Sequence, residues 1–205
     1  MKQTFFTHRT RQLTLFVVST TLALTWAVQP PSSTLDPIRA IDTVHSKLTV
    51  HVFKSGFLSV FAHNHEINAP IDSGSLDVEK PSVNFTVDAR KLAVLDSGES
   101  DSTRAEIQKT MHGERVLDSS RYPEIKFAST EVKPLGDGRY TVTGDLSLHG
   151  QKHTVKVNVA FTEGHYHGET TFKQTDFGIM PISIGGGSVK VRNEVTIEFD
   201  IVLQK

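Results

Sequence analysis

The chain has 205 residues, ten histidines, no cysteine and a formal net charge of −1 at pH 7. The lack of cysteine excludes disulfides, thiol catalysis and lipid anchoring through a cysteine. The near-balanced charge argues against a nucleic-acid binder, which shows a basic face.

The first residues read as a leader and not as part of the fold. Lys2, Arg9 and Arg11 form a positive n-region without acidic residues, and an apolar run follows from Leu13 to about Ala27. Thr25-Trp26-Ala27 presents small residues where a signal peptidase cuts, so residues 1–27 are expected to be a secretory signal peptide. The alternative is an uncleaved anchor, but the apolar run is short against the roughly 20 residues of a membrane span. Cleavage leaves 178 residues with 19 basic and 23 acidic side chains, a net −4. The expected product is periplasmic or secreted, with no integral span in the mature chain. Residues 28–38 (VQPPSSTLDPI) read as a flexible lead-in. Residues 39–205 form one domain that, without disulfides, must rely on its core.

The rest of the chain alternates with period two, the pattern of half-buried strands. Ser46 to Lys54 places Leu48, Val50 and Val52 on one face. Val60 to Ile71 places Phe61, His63, His65, Ile67, Ala69 and Ile71 in one phase, and a short strand covers Gly74 to Val78. Ser82 to Ala93 carries Val83, Phe85, Val87 and Ala89 in phase. Ser102 to Met111 breaks the period. Ile107 and Met111 lie four apart with no proline between, which predicts a helix capped by Asp101 or Ser102 and ending near Gly113. Such a helix either covers an open end of the sheet or lies on its surface.

Glu124 to Lys133 follows with Ile125 and Phe127 in phase. Tyr140 to Phe161 reads as a hairpin, with Val142, Leu146 and Leu148 before the turn and Val155, Val157, Val159 and Phe161 after it. Tyr166 to Thr175 is a polar strand containing Phe172. The last strand alternates Val195, Ile197, Phe199, Ile201 and Leu203 with polar residues. Gly185-Gly186-Gly187 precedes it without a following helix and reads as a bend, not a phosphate loop. The inventory is all-β, with eight or nine strands nearly all antiparallel by connection length.

Several segments together resemble the YceI-like family. They are Ile41-Asp42-Thr43-Val44-His45-Ser46, the patch Arg121 to Phe127 (RYPEIKF), Gly144 to Gly150 (GDLSLHG) and Asp176-Phe177-Gly178-Ile179. The resemblance spans nearly all of Ile41 to Leu203. It implies a lipocalin-like, eight-stranded antiparallel β-barrel with one inserted helix. It also implies an elongated apolar tunnel holding a polyisoprenoid or other long amphiphile, in a periplasmic, non-catalytic protein. The chain departs from the family in two places. Arg115-Val116-Leu117-Asp118 stands where a Phe-Phe pair is common, and Phe57 to Ile67 carries a His-Asn-His-Glu variant.

The expected ligand is a long-chain isoprenoid or fatty molecule, and no cofactor is expected. Its lining, from the inward parity, is Leu48, Val50, Val52, Phe61, His63, His65, Ile67, Phe85, Val87, Phe127, Val142, Leu146, Leu148, Phe172, Val195, Ile197 and Phe199. Small inward residues such as Ala69, Ala89 and Gly144 would leave room. His63 and His65 share a face and either contact the ligand's polar head, form a satisfied polar patch at one barrel end, or ligate a metal. A periplasmic metal-binding protein using these two histidines is therefore the alternative function, though nothing local supplies a third ligand. His165 and His167 read as an exposed strand end. An enzyme with a histidine base lacks a paired acid or nucleophile, and no G-x-S-x-G elbow is present. The sequence leaves homodimerisation open.

Overall fold

A computed structural model describes residues 37–55, 64–184, 186 and 189–204. Among them twelve strands form one antiparallel sheet. In chain order these are β1 (Ile38–Ala40), β2 (Lys47–Ser55), β3 (His65–Asn68), β4 (Ile71–Asp77), β5 (Ser82–Asp88) and β6 (Ala93–Val94). After helix α1 (Asp101–His112) come β7 (Glu124–Gly136), β8 (Arg139–Leu148), β9 (Gln151–Thr162), β10 (His165–Lys173), β11 (Ser183–Ile184) and β12 (Val189–Val202). The order across the sheet is β1-β4-β5-β7-β8-β9-β10-β12-β2-β3-β6, with β11 on β12. The sheet curls far enough that its first strand meets β12. Ile41 bridges Leu203, and the Gln204 N–H donates to the Ala40 carbonyl at 2.9 Å. Among the described residues the result is a barrel-like, all-β fold with a single α-helix.

The expected count of eight strands is not matched, and the reasons are local. Asp42 turns the chain between β1 and β2, its Oδ1 accepting from the N–H groups of Val44 and His45 at 3.0 and 3.1 Å. Pro70 has no N–H to give a ladder, and the expected strand Val60 to Ile71 breaks there into β3 and β4. A 3-10 turn at Ala89–Lys91, capped by Asp88, separates β5 from β6. β11 was not anticipated. Three hairpins turn on two residues at positive φ: Asp137-Gly138, His149-Gly150 and Glu163-Gly164. That geometry matches the right-handed twist of the strands it joins.

The helix lies one residue from its expected bounds at each end. Its cap is Ser100, whose hydroxyl accepts from Thr103 N–H at 3.1 Å, and not Asp101 or Ser102. Met111 is buried and Ile107 packs against the core. The helix therefore covers one end of the curled sheet. No helix among the described residues is long and apolar enough to cross a membrane.

Candidate functional site

The interior of the curled sheet holds a cavity of about 320 Å³, at the lower end of the ~300–1,000 Å³ typical of ligand pockets. Alternation along each strand points one set of side chains into it. Fourteen of the seventeen residues read from parity line it: Leu48, Val50, Val52, Ile67, Phe85, Val87, Phe127, Val142, Leu146, Leu148, Phe172, Val195, Ile197 and Phe199. Many of these inward residues, Val50, Val52, Phe85, Leu146, Ile197 and Phe199 among them, are only half-buried. Because they face the interior, what they expose is cavity wall, not outer surface.

The cavity runs the length of the strands. One end is floored by Leu92, by Met111 of α1, by Val116 and Leu117 just after it, and by Ile179. The other end is bounded by Asp77, Val78, Pro81 and Ser82 of the β4–β5 turn and by Tyr140 and Tyr166. Around this second end, the mouth, three hairpin tips carry exposed apolar side chains: Val78, Leu135 and Phe161.

Two of the remaining three residues, Phe61 and His63, lie outside the described residues. The third, His65, is not part of the lining. Its Nδ1 donates to Asp96 Oδ2 at 2.6 Å, and Asp96 Oδ1 accepts the Glu66 N–H at 2.8 Å. Asp96 is buried and stands just ahead of α1. His65 thus belongs to a polar link between β3 and the approach to the helix. Among the described residues no three histidine, aspartate or glutamate side chains gather as a metal ion would need. His165 is half-exposed and pairs with Asp200 at 2.7 Å.

Among the lining residues that sequence reasoning missed, three groups stand out. Val155, Val157 and Val159 had the right parity in the hairpin but were not carried into the site. Met111, Val116 and Leu117 come from the helix and the turn after it, where period-two parity says nothing. Tyr140 and Tyr166 sit near the starts of β8 and β10. Of the small inward residues, Ala69 does line the cavity. Gly144 instead makes room for protein: a Cβ there would stand 2.7 Å from both Phe127 Cε2 and the Ala128 carbonyl oxygen.

Three of the four motif segments meet at the floored end of the cavity, whereas Ile41 of the first lies on the cavity wall beside Leu203. Tyr122 meets His149 edge-on with ring centroids 4.7 Å apart, and His149 Nδ1 donates to the Phe177 carbonyl at 3.0 Å. Phe177 is fully buried between the rings of Phe172 and His153, each with its centroid 5.1 Å away. Gly150 sits under Tyr122, whose Cε1 would lie 2.7 Å from an added Cβ. The tyrosine-proline patch, the GDLSLHG turn and the Asp-Phe-Gly-Ile segment are therefore one structural unit.

The model of the YceI-like domain matches residues 40–203. The chain belongs to the YceI-like family. Relatives include a UPF0312 protein of Shewanella oneidensis, 30% identical over 173 residues, covering 77% of this chain and 84% of that protein. Another, from Pseudomonas savastanoi pv. phaseolicola, is 32% identical over 142 residues, covering 64% and 69%. Among solved structures, Burkholderia cenocepacia BcnA aligns with a TM-score of 0.58 at 22% identity, covering 80% of this chain and 99% of BcnA. A likeness at that identity concerns the fold.

Proposed function

We propose that this YceI-like protein binds one long apolar or amphiphilic lipid, of polyisoprenoid or fatty type, inside its barrel. The observation that supports this reading is the cavity: its wall is almost wholly aliphatic and aromatic, with apolar side chains flooring one end and Asp77, Ser82, Tyr140 and Tyr166 at the other. Apolar surface left facing a void forfeits dispersion contacts that a chain would restore. We read the protein as a carrier in which no bond of the ligand is made or broken. It acts after export, released from its leader near Ala27. Organic extraction of protein purified from the producing cell, followed by mass spectrometry, should recover one prenyl or acyl species in near-stoichiometric amount. Recovery of no lipid, together with failure to take up a fluorescent apolar probe, would refute the reading. N-terminal sequencing of the same sample should begin near Val28 or Gln29. Recovery of full-length chain in the membrane fraction alone would count against export with cleavage.

A further inference from the structure

The two ends of the cavity differ in what they can offer a polar group. Six polar side chains line it: Asp77, Ser82, Tyr140, Tyr166, Thr170 and Gln174. Three are already committed to the protein. Asp77 Oδ1 accepts the N–H groups of Glu79 and Lys80, both at 2.9 Å. Thr170 Oγ1 donates to the Lys156 carbonyl at 3.0 Å, and Gln174 Nε2 donates to the Arg192 carbonyl at 2.8 Å. Ser82 is exposed on the β4–β5 turn, and the remaining two hydroxyls, of Tyr140 and Tyr166, have no hydrogen-bond partner among the described residues. Pairing places both at the mouth. Tyr140 stands opposite Pro134 and Val159, and Tyr166 opposite Phe161 and Ile201, beside the tips of the β7–β8 and β9–β10 hairpins. At the far end the floor is Leu92, Met111, Leu117 and Ile179, with no uncommitted donor among the described residues.

From this asymmetry we infer that the ligand lies with its tail against Met111 and its polar end at the mouth, held by the hydroxyls of Tyr140 and Tyr166. This inference rests on the interior-binding reading above and assigns the head group to the tyrosines, not to His65, which Asp96 already occupies. The ligand class follows: a single-chain amphiphile whose polar end carries an oxygen acceptor, such as a carboxyl, carbonyl or phosphate. Burial raises the pKa of Tyr166 above its ordinary value, the neighbouring Tyr140 adds to that rise, and Arg39 opposes it. The phenol therefore stays protonated at neutral pH and acts as a donor. Arg39, whose guanidinium donates to the Gln204 carbonyl, places positive charge at the same rim.

The test uses two probes, uniformly 13C-labelled lauric acid and the neutral fluorophore N-phenyl-1-naphthylamine. In isotope-filtered NMR of the wild-type protein, the laurate terminal methyl should show contacts to the Met111 methyl. The methylene beside the carboxylate should contact the rings of Tyr140 and Tyr166. The double variant Tyr140→Phe/Tyr166→Phe should bind laurate at least tenfold more weakly, for two hydrogen bonds to its carboxylate lost, and bind the fluorophore within twofold of wild type. Reversed NMR contacts, or laurate affinity unchanged in the variant, overturn the orientation while leaving interior binding intact. If neither probe enters the wild-type protein, the interior-binding reading fails and this inference fails with it.

Discussion

Filling the cavity tests its existence by the sign of a stability change. Val50 on β2 and Val155 on β9 both line it and both are half-buried. Val50 stands opposite Ile197 and Ile67, which also line the cavity, so its side chain projects into the void and not into a packed seam. Replacing either valine by phenylalanine adds roughly 50 Å³ of side chain, and removing that much void at about 24 cal/mol per Å³ returns on the order of 1 kcal/mol. In a close-packed interior the same substitution costs about 1–3 kcal/mol, because neighbours must leave their rotamers. The two outcomes therefore differ in sign. For a chain of this size, 1 kcal/mol moves the melting temperature by about 2–4 °C. The assay is thermal and urea unfolding of lipid-free Val50→Phe, Val155→Phe and the double variant, with probe uptake measured alongside. We expect each single variant to melt at or above wild type. The double variant, with about a third of the 320 Å³ occupied, should lose at least tenfold in affinity for an apolar probe. Destabilisation of both single variants by more than 1 kcal/mol with unchanged m-values would refute the open interior.

Four further substitutions test the frame around the site. Asp88 is held at a pKa of about 2, below the ordinary 3.8, mainly by the Arg90 guanidinium and then by the Arg90 N–H. Its contribution to stability should thus be complete above about pH 4 and lost as the pH falls toward 2. The gap in melting temperature between wild type and Asp88→Asn should close over that window, and a gap constant from pH 6 to pH 2 would contradict the assignment. Asp96→Ala leaves the Glu66 N–H and the His65 ring without their acceptor, and should cost about 1–3 kcal/mol in urea unfolding. Gly150→Ala places a side chain at φ +73° and against Tyr122, and should cost roughly 1–3 kcal/mol, while Gly98→Ala, in open space, should be near neutral.

Most of the lining was legible because parity is a one-bit code that survives folding wherever a strand is unbroken. The runs Leu48 to Val52, Phe85 to Val87 and Val195 to Phe199 each kept their phase into the cavity. The code fails where the ladder slips. β7 carries irregularities between Ser129 and Glu131 and between Pro134 and Gly136, and Leu135 in that stretch ends on the outer rim. It also fails where the wall is not a strand, which is why Met111, Val116 and Leu117 were not foreseen. His65 shows a different limit. Its parity was read correctly, but a side chain at a strand end goes to the strongest partner within reach, and Asp96, 31 residues further on, left no mark in the local pattern.

The family motifs overlap the site in part: Ile41, Ile125, Phe127, Leu146, Leu148 and Ile179 line the cavity and the other motif residues do not. Three of the four motifs hold the fold at the floored end, where Tyr122, His149, Gly150 and Phe177 interlock. The cavity wall needs only apolar side chains of suitable size, which many sequences supply. A cavity is a standing cost, because its lining lacks contacts on one side, so the chain must be secured elsewhere, and it has no disulfide with which to do so. The buried Phe177 and the aromatic rings around it provide that security at the end furthest from the mouth. The mouth is freed of that duty and can leave the hydroxyls of Tyr140 and Tyr166 without hydrogen-bond partners among the described residues, and Val78, Leu135 and Phe161 exposed. Substitutions in the clamp should therefore lower stability, and substitutions at the mouth should change what is bound and leave the melting temperature nearly untouched.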